Sequence, residues 1–194
     1  DIGFAFDGDG DRVGMVTNDG KSVLADHLIM LLTNHYLKMK KGAIIFDVKC
    51  SNQLPILIEN SGGKAIMEKT GHFNIKRAIK KHDAVLGGEM SGHVFINHDW
   101  YGFDDAVYTA AILAKVISDT GQPASRVIEQ FPKTFATPEL NMDVDDEKKF
   151  KIVEKFQEQM QFPDAEFNTI DGVRVSIGKT LTPSIVLNLS LIHI

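Results

Sequence analysis

The chain begins with an apolar run, Ile2 to Phe6, breaks into the charged stretch FDGDGDR, and turns apolar again at VGMVT. Followed by the turn residues NDGK and then SVLA, this pattern predicts a strand, an acidic loop and a hairpin. Asp26 is placed as the N-cap of an amphipathic helix reaching Tyr36, with Leu28, Leu31 and Leu32 on one face. AIIFDV (43 to 48) reads as a buried strand, SNQLPILIEN as a capped helix with its proline near the first turn, KAIMEK as a strand and FNIKRAIKKH as a helix. AVLGGEM and HVFIN then predict strand, loop and strand, and a long helix runs from about Asp104 to Ser118. Alternation of this kind predicts an α/β fold: a mixed, largely parallel sheet layered with helices.

Beyond Gly121-Gln122-Pro123 the texture changes. FPKTFATP (131 to 138) reads as a linker, ELNMDV as a strand, DDEKKFKIVEKFQEQM as an amphipathic helix, and EFNTIDGVRVSIG as a hairpin around Asp171-Gly172. A small α+β C-terminal domain is therefore expected.

Composition narrows the function classes. The 194 residues are 43% hydrophobic and 24% charged, ordinary values for a globular chain, and no apolar run approaches membrane-spanning length. The net charge of -5 lacks the basic footprint of a general nucleic-acid binder. Cys50 is the single cysteine, so no intrachain disulfide forms and a cytoplasmic location is expected. The first residues, DIGFAF, lack both Met and a charged leader and enter a strand at once, which reads as a fragment whose front has been removed.

Asp7, Asp9 and Asp11 carry the first candidate chemistry. In an extended strand their side chains would stand about 7 Å apart on one side. Gly8 and Gly10 let the backbone curl until the carboxylates converge, and converged carboxylates call for a hard divalent cation with oxygen ligands. An EF-hand is excluded, because Arg12 and Asn18 stand where the calcium loop needs Gly and Glu. A solvated turn and an aspartate-nucleophile phosphatase using Asp7 and Asp9 stay open at this level. Three loops that leave predicted strands add further groups on one predicted rim: Lys49-Cys50-Ser51, Thr70-Gly71-His72 and Glu89-Met90-Ser91-Gly92-His93. Lys49 and the two histidines suit an anion, whereas Glu89 and Ser91 suit the vicinal hydroxyls of a sugar.

The set FDGDGDR, DVKCS, KTGH, GGEMSGH, WYGFDDA and NTIDGVRV, in this order, resembles the α-D-phosphohexomutases, in particular their bacterial phosphomannomutase/phosphoglucomutase branch, from residue 1 to about Gly178. The resemblance implies an enzyme of four domains around a cleft. A phosphoserine of the first domain exchanges its phosphoryl group with mannose or glucose 1- and 6-phosphates through a 1,6-bisphosphate. It implies that Asp7, Asp9 and Asp11 hold Mg²⁺, that Arg12, Lys49 and His72 serve the reacting groups, that Lys49, Glu89 and Ser91 bind substrate, and that His93 lies near the sugar and its phosphate. On this basis residues 1–18 are the end of domain 2, 19–132 domain 3, and 133–194 an altered or incomplete domain 4. The serine loop of domain 1 is absent, and the phosphate-gripping loop Arg-x-Ser-Asn-Thr is replaced by VSIGKTLTPSIVLNLSLIHI. The isolated chain is accordingly expected to be inactive without the N-terminal domains of the same protein. Its SIVLNLSLI segment is expected to pair as a strand with the domain 4 sheet. A noncatalytic metal or sugar-phosphate-binding module is the alternative from another class.

Overall fold

A computed structural model describes residues 1–133, 144–159 and 164–177. The chain divides into two compact units, Asp1–Lys133 and Thr134–Ile194. The first unit opens with strands β1 (Gly3–Phe6), β2 (Val13–Val16) and β3 (Ser22–Val23), joined in chain order in a small antiparallel sheet. Phe6 faces Val13 across β1 and β2, so the acidic segment between them is the connection of one strand pair.

Helix α1 (Ala25–Met39) buries Leu28, Ile29, Leu32 and Tyr36. Its N-cap is Leu24, not Asp26 as expected. Asp26 sits inside the first turn, 1% exposed, and accepts the Ser51 N–H at 3.3 Å. A contact 25 residues away outcompetes the local cap. Next come β4 (Ala43–Asp47), α2 (Gln53–Asn60), β5 (Lys64–Glu68), α3 (His72–His82), β6 (Leu86–Gly88) and β7 (Val94–Ile96). The α2 N-cap position is Asn52, whose side chain makes no capping hydrogen bond, so the helix expected to be capped starts without that help. The strands assemble in the order β5-β4-β6-β7, with β4 parallel to both neighbours and β7 antiparallel to β6. The fold is a mixed, mostly parallel sheet clad with helices.

The core divides by the pleat. Ile44 and Phe46 of β4 join the cluster containing Leu28, Leu32 and Leu54, while Ala43 and Ile45 join Ile75, Ala78 and Ile79 on the opposite face. Full burial of each Ile or Phe contributes about 2 kcal/mol, so a strand apolar on both faces is held from two sides. At the end of β6, a Cβ on Gly87 would come within 2.6 Å of Ile79, and one on Gly88 within 2.5 Å of Ile29. These two glycines let α3 and α1 close onto the sheet from opposite faces.

After β7, Asp105 accepts the Tyr108 N–H at 2.9 Å and caps α4 (Ala106–Asp119), close to the expected helix. The short α5 (Ala124–Ile128) was not anticipated from the pattern. Buried Ala124 and Val127 hold it, and its Ser125 N–H donates to Asn18 across the fold.

In the second unit, α6 (Asp146–Gln159) accompanies a hairpin of β8 (Ala165–Asn168) and β9 (Arg174–Ile177), with Asn168 opposite Arg174 around the predicted Asp171-Gly172 turn. Val153, Val173 and Val175 form its apolar cluster. The expected strand ELNMDV (139–144), apart from Val144, and the tail segment 179–194 lie outside the described residues.

Candidate functional site

Because β4, β5 and β6 are parallel, their carboxyl ends share one rim, and the loops after them meet there. The loop after β6 is tightly folded. Glu89 N–H donates to the His93 carbonyl at 2.9 Å and Gly92 N–H to the Glu89 carbonyl at 3.1 Å, with Gly92 at φ +101°. The Gly92 carbonyl accepts the Val13 N–H at 3.1 Å, and Arg12 bridges His93 in antiparallel fashion. The segment between β1 and β2 is thereby stitched to this loop. Gly10, at φ +75°, turns that segment back on itself and offers its carbonyl to Ala106 N–H.

Within the segment, Asp7 Oδ1 accepts the Gly10 and Arg12 N–H groups at 3.2 Å each, and Asp7 Oδ2 accepts Arg12 Nε at 2.6 Å. The Arg12 hydrogen bond holds the Asp7 carboxyl well below the usual carboxylate range. Asp7, Asp9 and Asp11 each present one oxygen, and these three oxygens lie within 4.8 Å of one another. The curl expected from the glycines has brought the carboxylates together. A set of carboxylate oxygens at this spacing fits a hard divalent cation of the Mg²⁺ type.

The histidines stand next to this triplet. His93 Nε2 is 3.3 Å from Asp11 Oδ2, and His93 Nδ1 is 3.0 Å from both Glu89 Oε2 and Ser91 Oγ. Burial on its own lowers the His93 pKa, but the hydrogen bond His93 donates to Glu89 and the charges of Glu89, Asp11 and Asp104 outweigh it and leave it above the ordinary value. His72 opens α3 and stacks on His93, ring centres 6.0 Å apart. Glu89 is 1% exposed, and its other oxygen accepts the Gly71 N–H, tying the loop before His72 to the loop carrying His93. Lys49 sits half-buried on the neighbouring loop, close enough for its charge to act on Asp47.

Three residues of this constellation were missed in the sequence. Asp104, its side chain 8% exposed, accepts Lys76 Nζ at 3.1 Å and lies 3.4 Å from His72 Nδ1. The signal was the Asp104-Asp105 pair before a helix: only one of two adjacent acids can be the N-cap, and the other needs a different employment. Lys76 follows His72 by four residues on α3 and so shares its face, its Nζ 3.1 Å from His72 Nδ1. Asp47, fully buried at the end of β4, accepts Met90 N–H at 3.2 Å, the Cys50 thiol at 3.1 Å and the Thr70 hydroxyl at 3.4 Å. Burial pushes its pKa up, against the lowering effect of Cys50 and Met90.

This cluster combines converging carboxylates, two imidazoles and an ammonium group facing one rim. Residues 25–135 match the family model described as phosphoglucomutase/phosphomannomutase, alpha/beta/alpha domain III. The chain is 52% identical over 176 residues to a phosphomannomutase/phosphoglucomutase of Pseudomonas putida, covering 90% of this chain and 38% of that protein. It is 44% identical over 178 residues to a phosphoglucomutase of Neisseria gonorrhoeae, with the same shares of each chain covered. Among solved structures, a phosphoglucomutase/phosphomannomutase family protein from Burkholderia thailandensis superposes with a TM-score of 0.83 at 38% identity, over 96% of this chain and 41% of that one. The chain thus spans about two fifths of the length of the curated relatives it matches.

Proposed function

The chain belongs to the phosphoglucomutase/phosphomannomutase family, and from that premise we propose that it is the metal-loop and sugar-binding part of an enzyme interconverting hexose 1- and 6-phosphates of glucose or mannose. The observation that carries this reading is the stitching of the Asp7 to Arg12 segment onto the Glu89 to His93 loop, which sets a cation site beside an imidazole pair. In this reading residues 1–18 end the family's second domain, 19–132 are the third, and 133–194 belong to the fourth.

Asp7, Asp9 and Asp11 hold Mg²⁺, which when bound neutralises developing charge on a transferring phosphoryl group. Asp7 serves as a ligand, held in place by the Gly10 and Arg12 N–H groups on Oδ1 and by Arg12 Nε on Oδ2. Arg12 fixes that ligand and adds a positive charge at the edge of the site. Ser91 is exposed and offers its hydroxyl to the sugar. Glu89 accepts sugar hydroxyls through lone pairs not used by Gly71 and His93, while holding His93 oriented. His72, His93 and Lys49 meet the phosphate and hold or move the proton at the attacking hydroxyl. The phosphoryl donor is assigned to a phosphoserine elsewhere in the family's longer chain, with a 1,6-bisphosphate as intermediate.

The test has two arms. Titration of the chain with glucose 1-phosphate or mannose 1-phosphate in Mg²⁺, followed by NMR, is expected to shift Ser91, His93 and His72. Mutase turnover is expected to be absent from this chain alone and present in a protein of full family length carrying it. Phosphate release by the chain alone would favour a phosphatase instead, and binding without turnover in the full-length protein would favour a noncatalytic module.

A further inference from the structure

Among the described residues, a second group of metal-binding atoms stands beside the aspartate triplet: one from Asp11, one from His93 and one from Asp104, all within 4.8 Å of one another. His93 Nε2 lies 3.3 Å from Asp11 Oδ2 and 4.0 Å from Asp104 Oδ2. The second oxygen of Asp104 is the telling atom. It is buried and accepts no hydrogen bond, although the side chain is only 8% exposed. Lys76 holds the other oxygen, and His72 Nδ1 at 3.4 Å lacks hydrogen-bond geometry. A buried carboxylate oxygen left without a donor is costly, and a cation removes that cost.

His93 is also arranged as a ligand. The buried Glu89 carboxylate engages Nδ1, which fixes the ring with Nε2 toward Asp11 and Asp104. A carboxylate behind a ligating histidine sets its tautomer and raises its basicity. Asp7, Asp9, Asp11, Glu89 and Asp104 outnumber the fixed cations Arg12 and Lys76 around the cluster, so the local field favours a further positive charge.

We propose that Asp11, His93 and Asp104 form a second cation site, distinct from the aspartate triplet but sharing Asp11 with it, and suited to a borderline transition ion of the Zn²⁺ class. One imidazole nitrogen with two carboxylates matches Zn²⁺, whereas Mg²⁺ takes oxygen ligands and keeps its waters. Ligand atoms around a tetrahedral ion of this kind sit roughly 3.3 Å apart. The Asp11 to His93 spacing already meets that value, and Asp104 Oδ2, 4.0 Å from Nε2, has to close on that nitrogen by well under an ångström. Sharing Asp11 makes the two sites compete. In a mutase, an ion here also withdraws His93 from substrate; that consequence rests on the proposed function, while ion binding does not.

The experiment is competition of Zn²⁺ alone against a chromophoric chelator, using this chain in a large excess of Mg²⁺. One Zn²⁺ per chain is expected, with affinity falling at least about tenfold in His93→Gln and in Asp104→Asn. Asp9→Asn, which touches only the triplet, is expected to retain Zn²⁺ binding and to tighten it in excess Mg²⁺, because the ion competing through Asp11 is held more weakly. Loss of Zn²⁺ binding in Asp9→Asn with retention in His93→Gln places the ion on the triplet and overturns the proposal, as does absence of binding in the unsubstituted chain. Should a substituted chain not fold, imidazole NMR of the unsubstituted one decides: Zn²⁺ must shift His93 and spare His27 and His35, and an unmoved His93 overturns the site.

Discussion

Two sets of carboxylates in this molecule have opposite lives. Asp7, Asp9 and Asp11 lie on a loop and keep access to solvent, Asp9 being exposed outright, and one oxygen of each lies within 4.8 Å of the others. Asp47, Glu89 and Asp104 lie at the rim of the sheet and are nearly or wholly buried, and most of their oxygens accept donors of the protein itself. The same functional group stays open to solvent, and to the cation proposed above, in one place and clamps the protein's own loops in the other. Burial decides between the two, because a buried carboxylate without donors is prohibitively unfavourable while an exposed one is hydrated. Among these six carboxylates, Asp104 Oδ2 is the oxygen that is buried like a clamp yet accepts no hydrogen bond, a state that Asp26 Oδ1 in α1 shares.

The comparison is easiest to break at Glu89. Glu89→Ala strands the Gly71 N–H and leaves His93 without its buried partner, and the expected loss in urea unfolding is about 3 kcal/mol. A loss below about 1 kcal/mol would put rim and loop carboxylates on the same footing. Asp104→Asn keeps the shape but removes the charge facing Lys76 and His72, so the expected loss is smaller, about 1 kcal/mol, by the same measurement.

Asp47 sharpens the comparison through pH. Its pKa in the fold is raised above the unfolded value by burial, so its contribution to stability is full below the unfolded pKa of about 3.9 and is lost as pH rises through the folded pKa. Asp47→Asn does not titrate. Relative to the variant, the wild type is therefore expected to lose ground as pH climbs from 4, which thermal melts across that range would reveal. A gap independent of pH would show that Asp47 titrates as it does in the unfolded chain.

The smallest effect on stability belongs to the loop. Asp9→Asn is expected to change unfolding free energy by less than about 0.5 kcal/mol, as for surface substitutions generally. Calorimetric titration should nonetheless show Mg²⁺ affinity at least about tenfold weaker, because one anionic ligand of a hard ion is gone. A marked destabilisation without change in Mg²⁺ affinity would make the triplet a structural turn.

Much of this was legible along the chain, and the reason is locality. Strands such as AIIFDV and helices such as FNIKRAIKKH follow from apolar spacing, and both stand where the pattern puts them. The curl of the acidic loop was expected from Gly8 and Gly10, and Gly10, at φ +75°, is the one that takes the left-handed conformation. Asp26 shows the limit. Its position before a helix pointed to a cap, yet the carboxylate turned inward to the Ser51 N–H. The α5 helix was illegible for a similar reason, since its short sequence is helical only where the core receives Ala124 and Val127.

The sequence by itself determined most of the elements of the first unit, α5 excepted, where glycine permits the loops to turn, and which loops carry the ionisable groups, because these depend on neighbours a few residues apart. Only the tertiary structure decided that Asp104 and Lys76 join the histidines, that Glu89 clamps Gly71, and that the Asp7 to Arg12 segment is sewn to the Glu89 to His93 loop. Each of these depends on contacts across many residues, from Gly92 to Val13 and from Lys76 to Asp104. Such contacts exist only once the parallel strands align their carboxyl ends, and Gly87 and Gly88 let helices close on both faces of the sheet. Charge and burial at the site are properties of that assembly, so the roles of identical carboxylates diverge there and not in the order of the residues.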